Sequence, residues 1–367
     1  MKILFLSGNL CDGGAQRVIS VVASYLAEQG NDVSVLLYSR NEKEYPLSPK
    51  VNVISIAPNY EEYSKISGLK RIKFIRKHLK SLKPDVAVGF LEGGYGLYLS
   101  SFGMKFKKIA SIRNNPNHVF YEKGLRSIIN KMWFCSADAI VVQTNKQLEL
   151  MPKKMEKQSL VIANPISDVA INNLKREYSD NCRKLVMAGR LNPQKNYPMV
   201  FEAINIVRKK YPDIQLDIFG KGNQESTLQE LININGLTGN VKLCGWSQNT
   251  LEEYKNHDMY ILSSNFEGMP NALMEAMAVG LPCISTDCDT GPSDLIQHGE
   301  NGFLVPVGDS AMLADYIIKI IEMTSEQRKE LGIKAHRMIK EKFNTEVIIQ
   351  QWKKIFEKLG EEKQNDV

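Results

Sequence analysis

The sequence predicts two open α/β domains in tandem, each a parallel sheet with helical crossovers. Three observations carry that expectation. The length of 367 residues suits two domains of about 150–200 residues each. Apolar, β-branched runs alternate with amphipathic helical stretches, the pattern of strand–helix–strand units with right-handed crossovers. At Asn164–Arg183 the periodicity lapses into turn residues (Asn-Pro-Ile-Ser-Asp, Asn-Asn, Ser-Asp-Asn), and beyond it the alternation restarts.

In the first half, strands are expected at Ile3–Leu6, Val33–Leu37, Val86–Phe90, Lys108–Ile112 and Ala139–Val142, with helices near 15–28, 66–82, 120–134 and 145–150. In the second half, strands are expected at Leu185–Ala188, Gln215–Phe219, Val241–Cys244, Met259–Leu262 and Cys283–Ser285. Helices begin near 197, 225 and 270, and three more helical patterns follow, the last at 345–359. The expected domains are therefore 1–164 and 184–344, with 165–183 as a linker. The halves share an architecture but no sequence repeat.

Composition narrows the class. Hydrophobic content of 43% and charged content of 24% are those of a globular chain. No run approaches the roughly 20 apolar residues of a membrane-spanning helix. The opening Met1–Asn9 meets Gly-rich sequence too soon for a secretory signal and reads as a buried first strand. Cys11, Cys135, Cys182, Cys244, Cys283 and Cys288 are scattered without metal-ligand spacing, which points to a reducing, cytoplasmic compartment. Charge is uneven. Residues 1–180 hold 26 Lys/Arg against 16 Asp/Glu, whereas 181–367 hold 21 against 25. The first half should meet an anionic partner, either nucleic acid or a lipid surface.

In open parallel sheets, ligands bind at the carboxyl ends of strands, so those loops hold the candidate site. The first strand leads into Gly8-Asn9-Leu10-Cys11-Asp12-Gly13-Gly14. Paired glycines admit a phosphate to the backbone and the following helix start, although the same pair would serve a tight turn. The strand at 185–188 runs into Gly189-Arg190-Leu191-Asn192-Pro193-Gln194-Lys195-Asn196. A guanidinium and an ammonium there suit a pyrophosphate; solvated surface cations are the plain alternative. The strand at 259–262 runs into Ser264-Asn265-Phe266-Glu267-Gly268-Met269-Pro270-Asn271-Ala272-Leu273-Met274-Glu275. Glu275 sits on a helix of Ala, Leu and Met, where a carboxylate needs a partner. Paired ribose hydroxyls would supply one, and helix-start amides at 271–273 favour phosphate or sugar oxygens.

Glu267 and Glu275 with seven residues between them, together with Gly189-Arg190-Leu191 and Lys195-Asn196, resemble the nucleotide-sugar site of family-4 retaining glycosyltransferases of the GT-B fold. The resemblance spans nearly the whole chain. It takes in Gly13-Gly14, Phe219-Gly220-Lys221-Gly222, Leu243-Cys244-Gly245-Trp246 and Gly299–Val305, in family order. It implies two Rossmann-like domains facing a central cleft, with the last helix, 345–360, crossing back onto the first domain. It also implies that Glu275 holds the ribose, Arg190 and Lys195 the pyrophosphate, Glu267 the donor sugar, and Trp246 the base. Asn271, Ala272 and Leu273 would contact sugar or phosphate, and Gly13, Gly14 and Gly189 would line the site. Many members carry a His after a first-domain strand. Here Ser111-Ile112-Arg113-Asn114-Asn115-Pro116 stands in that place, so Arg113 is expected to take the polar role, with His118 as the alternative.

Two cations and a helix start can stabilise a leaving pyrophosphate without a metal. No cofactor or metal is therefore expected, and Asp287-Cys288-Asp289 reads as a structural turn. The resemblance implies retention, the leaving phosphate accepting the acceptor's proton, and a UDP-linked hexose or N-acetylhexosamine as donor.

For the acceptor, Lys65, Lys70, Arg71, Lys73, Arg76, Lys77, Lys80 and Lys83 share residues 65–83 with no acid. Ile66, Leu69, Ile72, Ile75, Leu79 and Leu82 recur among them at helical spacing. This basic amphipathic helix suits anionic lipid, although its apolar stripe should also pack on the sheet. A second basic and aromatic stretch covers Phe120–Lys123 and Lys131–Phe134. Similar enzymes act on lipid-linked glycans, so a peripheral position on the inner face of the cell membrane is expected. An epimerase of the same fold is the alternative. A nucleic-acid-binding protein would leave Glu267 and Glu275 without a purpose.

Overall fold

The computed structural model describes residues 1–11, 13–90, 92–121, 125–172, 174, 177–247 and 249–365. The chain forms two compact units, residues 1–165 with 345–367, and residues 166–344.

The first unit is a seven-stranded parallel sheet. Its strands are β1 (Lys2–Ser7), β2 (Asp32–Ser39), β3 (Asn52–Ala57), β4 (Val86–Phe90), β5 (Lys107–Ser111), β6 (Ala139–Val142) and β7 (Ser159–Val161), in the order β3-β2-β1-β4-β5-β6-β7. Central strands such as β4 (Val-Ala-Val-Gly-Phe) are buried throughout because helices cover both faces. β3 and β7 were not expected from the sequence. The helix Thr345–Asn365 belongs to this unit and buries Trp352 and Phe356. Trp352 stacks on Phe90 with ring centroids 6.1 Å apart, and Phe356 meets Phe5 edge-on at 6.2 Å.

The helix Glu92–Ser100 was also unexpected, since Gly93, Gly94 and Gly96 argue against one. Packing requires at least the second of them: a Cβ on Gly94 would lie 2.6 Å from Nε1 of buried Trp133.

The expected basic helix is present at Gly68–Leu82, but its stripe is only partly covered. Ile75 and Leu79 are buried, whereas Leu69 is 74% exposed. In the second basic stretch, Glu122 and Lys123 lie outside the described residues.

The second unit is a six-stranded parallel sheet of β8 (Lys184–Ala188), β9 (Gln215–Phe219), β10 (Val241–Gly245), β11 (Met259–Leu262), β12 (Cys283–Thr286) and β13 (Phe303–Val305). The order is β10-β9-β8-β11-β12-β13. Residues 166–183, expected as a linker, fall within this unit. The short helix Asp168–Ile171 opens it. The Tyr178 hydroxyl donates to Gly280 O at 2.7 Å, and buried Arg328 donates to Ser179 O at 2.6 Å. The Tyr178 hydroxyl and the Ser179 carbonyl anchor this segment to the rest of the unit.

Strand order reverses direction at β8 and β11, the topological switch point. In open parallel sheets, ligands bind outside the carboxyl ends of the strands at such a point. The segments after β8 and β11 hold Arg190 and Lys195, and Glu267 and Glu275.

Candidate functional site

The site is built from the loop after β8 and the loop after β11, which are bonded into one piece. Pro193–Lys195 is a single 3-10 turn, closed by Asn196 in the left-handed region at φ 47°. Ser263 Oγ donates to Lys195 O at 2.6 Å, and Asn265 N to Gln194 O at 2.8 Å. Gln194 Nε2 donates to Phe266 O at 2.8 Å, Asn265 Nδ2 to Pro193 O at 3.1 Å, and Asn196 Nδ2 to Asn265 Oδ1 at 3.1 Å.

This stitching brings two predicted residues together. Lys195 Nζ lies 2.7 Å from Glu267 Oε1, with side-chain exposures of 15% and 9%. An ion pair so covered is screened far less than one in open water. Buried Ser264 donates its hydroxyl to the same Oε1 at 2.6 Å, and Thr290 Oγ1 donates to Glu267 O. Lys195 was expected on a pyrophosphate; in this structure its ammonium pairs with Glu267.

Below the pair, buried Tyr197 reaches Gly189 O and Arg190 O at 3.4 Å each. Burial, helped by the charge of Glu267, holds its hydroxyl well above the usual tyrosine range. Burial first and the charge of Glu267 second push the Cys288 thiol up to about 12. Arg190 is exposed at the mouth of the loop.

The helix Asn271–Ala278 begins after Pro270, which makes no side-chain cap, and Asn271, Ala272 and Leu273 form its first turn. One turn on, Glu275 is half-buried between the buried Met274 and Ala276. Trp246 follows β10 with its side chain 45% exposed.

Two close approaches tie these loops to their neighbours. Gly189 N donates to Phe219 O, Leu191 N to Lys221 O, and Gly220 N to Gly245 O, at 2.7–3.0 Å. Among the described residues no group of three His, Cys, Asp or Glu gathers as metal ligands. Asp287 and Asp289 lie in the loop after β12.

In the first unit, Gly13 precedes the helix Gly14–Glu28 in extended backbone. Arg113 does not offer an open guanidinium. Its Nε donates to Ser111 Oγ at 2.7 Å and its Nη1 to Asn164 Oδ1 at 2.8 Å, while Nη2 is covered and unbonded. The cation lies over the Phe90 ring at 4.9 Å and the Trp352 ring at 5.9 Å. Burial pulls its pKa down to about 9, and the ring faces help offset that. This geometry makes Arg113 a support for the last helix. His118 is exposed on the short helix Pro116–Phe120.

Ser263, Ser264, Asn265, Gln194 and Thr290 were not singled out from the sequence. The available signal was a run of small polar residues between an apolar strand and a carboxylate.

Two parallel-sheet α/β units of this kind are the architecture of the GT-B fold. Residues 172–338 match the family described as glycosyl transferases group 1. An uncharacterised glycosyltransferase of Haemophilus influenzae is 27% identical over 354 residues, 94% of this chain and 96% of that one. An α-1,4-N-acetyl-D-galactosaminyltransferase of Campylobacter jejuni, named for a PP-undecaprenol-linked saccharide, is 26% identical over 363 residues, 97% and 98% of the two chains. The Anabaena HepE protein, solved with UDP and glucose, superposes with a TM-score of 0.80 at 19% identity, covering 97% of this chain and 99% of that one. The second unit carries the group 1 glycosyltransferase sequence, and the whole chain is similar to glycosyltransferases and has the GT-B fold.

Proposed function

We propose that the protein transfers a hexose or N-acetylhexosamine from a UDP-sugar to a lipid-linked glycan, retaining configuration and needing no metal. The observation that carries this reading is the covered Lys195–Glu267 pair in the loops after β8 and β11, which meet at the switch point of one sheet. Arg190, Lys195 and the first-turn amides of Asn271–Leu273 would take the pyrophosphate, Glu275 the ribose, Trp246 the base, and Glu267 the donor sugar. As the bond from the sugar's anomeric carbon to the phosphate oxygen breaks, negative charge grows on the phosphate, and these donors would stabilise it, Lys195 by shifting its ammonium from Glu267. The acceptor oxygen bonds to that carbon on the same face, and its proton passes to the leaving phosphate. HepE's complex with UDP and glucose supports the choice of donor, and the Campylobacter enzyme's name supports a lipid-linked acceptor.

Release of nucleotide from a panel of UDP- and GDP-sugars, with and without a polyprenyl-diphosphate glycan, tests this. A UDP-sugar should be consumed, faster with acceptor, and the rate should persist in excess EDTA. Loss of turnover in EDTA with rescue by Mg²⁺ or Mn²⁺ would refute metal independence. Conversion of the donor to its epimer without acceptor would refute transfer.

The acceptor side is read as an anionic membrane surface. Between Ile66 and Cys135 the chain holds 14 Lys/Arg and 3 acids. The helix Gly68–Leu82 packs beside Glu92–Ser100, which packs beside Leu125–Cys135. This group leaves Leu69, Leu99, Phe102, Ile128 and Met132 exposed. Phe102 is 86% exposed, and Arg76 fixes its position by donating to Ser100 O and Phe102 O at 2.9 and 2.8 Å. Among the described residues no helix is long and apolar enough to cross a membrane. Replacing Lys70, Lys73, Lys77 and Lys80 together by Gln should release the protein from phosphatidylglycerol vesicles, since each well-placed cation contributes about 1 kcal/mol. Equal flotation of variant and wild type, or flotation of neither, would refute it.

A further inference from the structure

We infer that Ser264 is a positioning residue for Glu267, an inference that rests on reading Glu267 as the group facing the donor sugar. Ser264 has no exposed surface, and its hydroxyl donates to Glu267 Oε1 at 2.6 Å, the same oxygen that Lys195 Nζ meets at 2.7 Å. Two donors on one carboxylate oxygen fix the side-chain rotamer and the plane of the carboxylate, and they leave Oε2 with neither of them. A carboxylate held in this way presents one defined oxygen to a sugar hydroxyl. With Lys195 as the only donor, a flexible four-carbon stem would set the orientation instead.

The backbone around Ser264 is pinned independently of its side chain. Thr286 Oγ1 donates to Ser264 O at 2.7 Å, and Thr290 Oγ1 donates to Glu267 O. Ser263 Oγ and Asn265 N hold the Lys195 turn on the residues either side. Removing the Ser264 hydroxyl therefore loosens the Glu267 carboxylate while the loop stays in place. Lys195 and Ser264 are not equivalent here: the ammonium can shift to a phosphate, whereas the hydroxyl, buried beneath, cannot leave.

A double-mutant cycle tests this, with Ser264→Ala, Glu267→Gln and the pair together. The readouts are nucleotide release from the UDP-sugar that wild type consumes and UDP affinity by calorimetry. Ser264→Ala is expected to lower kcat about 10- to 100-fold, the worth of a hydrogen bond to a charged group, with UDP affinity within about twofold. In the Glu267→Gln background the same change should cost less than about threefold, because its target is already gone. Equal losses in both backgrounds, or unchanged kcat in Ser264→Ala, would overturn the inference. If Ser264→Ala does not fold, Ser264→Cys, of similar size and a weak donor, should show the same loss and the same coupling. Normal turnover in Glu267→Gln alone would instead overturn the placement of Glu267 at the sugar, a separate failure.

Discussion

Glu275→Ala should weaken UDP binding by about one to two orders of magnitude while the second unit stays folded. A hydrogen bond to a charged group is worth about 1.5–3 kcal/mol, and a carboxylate that takes two ribose hydroxyls falls in that range. Stability should change little. Glu275 is half-buried on the helix Asn271–Ala278, whose core residues Leu273, Met274 and Met277 do the packing, and alanine favours the helix. Calorimetry with UDP and with GDP gives the result directly. Unchanged affinity for both nucleotides would remove Glu275 from the nucleotide site.

The second large effect concerns Gly220, at φ 155° in a region that only glycine visits readily. A Cβ built there would lie 1.8 Å from Gly189 O, a backbone atom that cannot swing aside like a side-chain end. Gly220→Ala therefore forces apart the loops after β8 and β9, which are joined by Gly189 N to Phe219 O and Leu191 N to Lys221 O. The expected loss is about 3 kcal/mol or more, from strain and from the separated loops. For a unit of this size that lowers the melting temperature by roughly 6–12 °C. UDP affinity should fall more than about tenfold, because Arg190 and Lys195 ride on the displaced loop. Scanning calorimetry and UDP titration of the same sample would show it. A normal melting temperature with normal affinity would contradict the close approach.

Most strands that the sequence predicts are interior ones; β10, an edge expected at Val241–Cys244, is the exception. The ones it hides are β3, β7 and β13. Each forms an edge: β3 alternates as Asn-Val-Ile-Ser-Ile-Ala, and the other two have three residues each. Arg190, Lys195, Glu267 and Glu275 were legible as candidates because they are charged residues in the segments that follow apolar strands. Their supports were not. Ser264 and Thr290 are ordinary loop residues until the fold brings them to Glu267, 3 and 23 positions away in sequence. Arg113 differs in the opposite sense. Its cation looked available in sequence, yet Ser111, Asn164 and two aromatic rings enclose it.

The helix Thr345–Asn365 has a consequence for the order of folding on the ribosome. Residues 166–344 sit inside the first unit's sequence like a parenthesis. Their ends are already joined, with Ile166 N bonded to Phe343 O at 2.8 Å. Trp352 and Phe356, which cover Phe5 and Phe90, are synthesised only after that parenthesis has closed. Domains usually mature in the order they emerge. Here the second unit has its complete sequence first, and the amino-terminal sheet waits with part of its aromatic core open until the helix Thr345–Asn365 has been made.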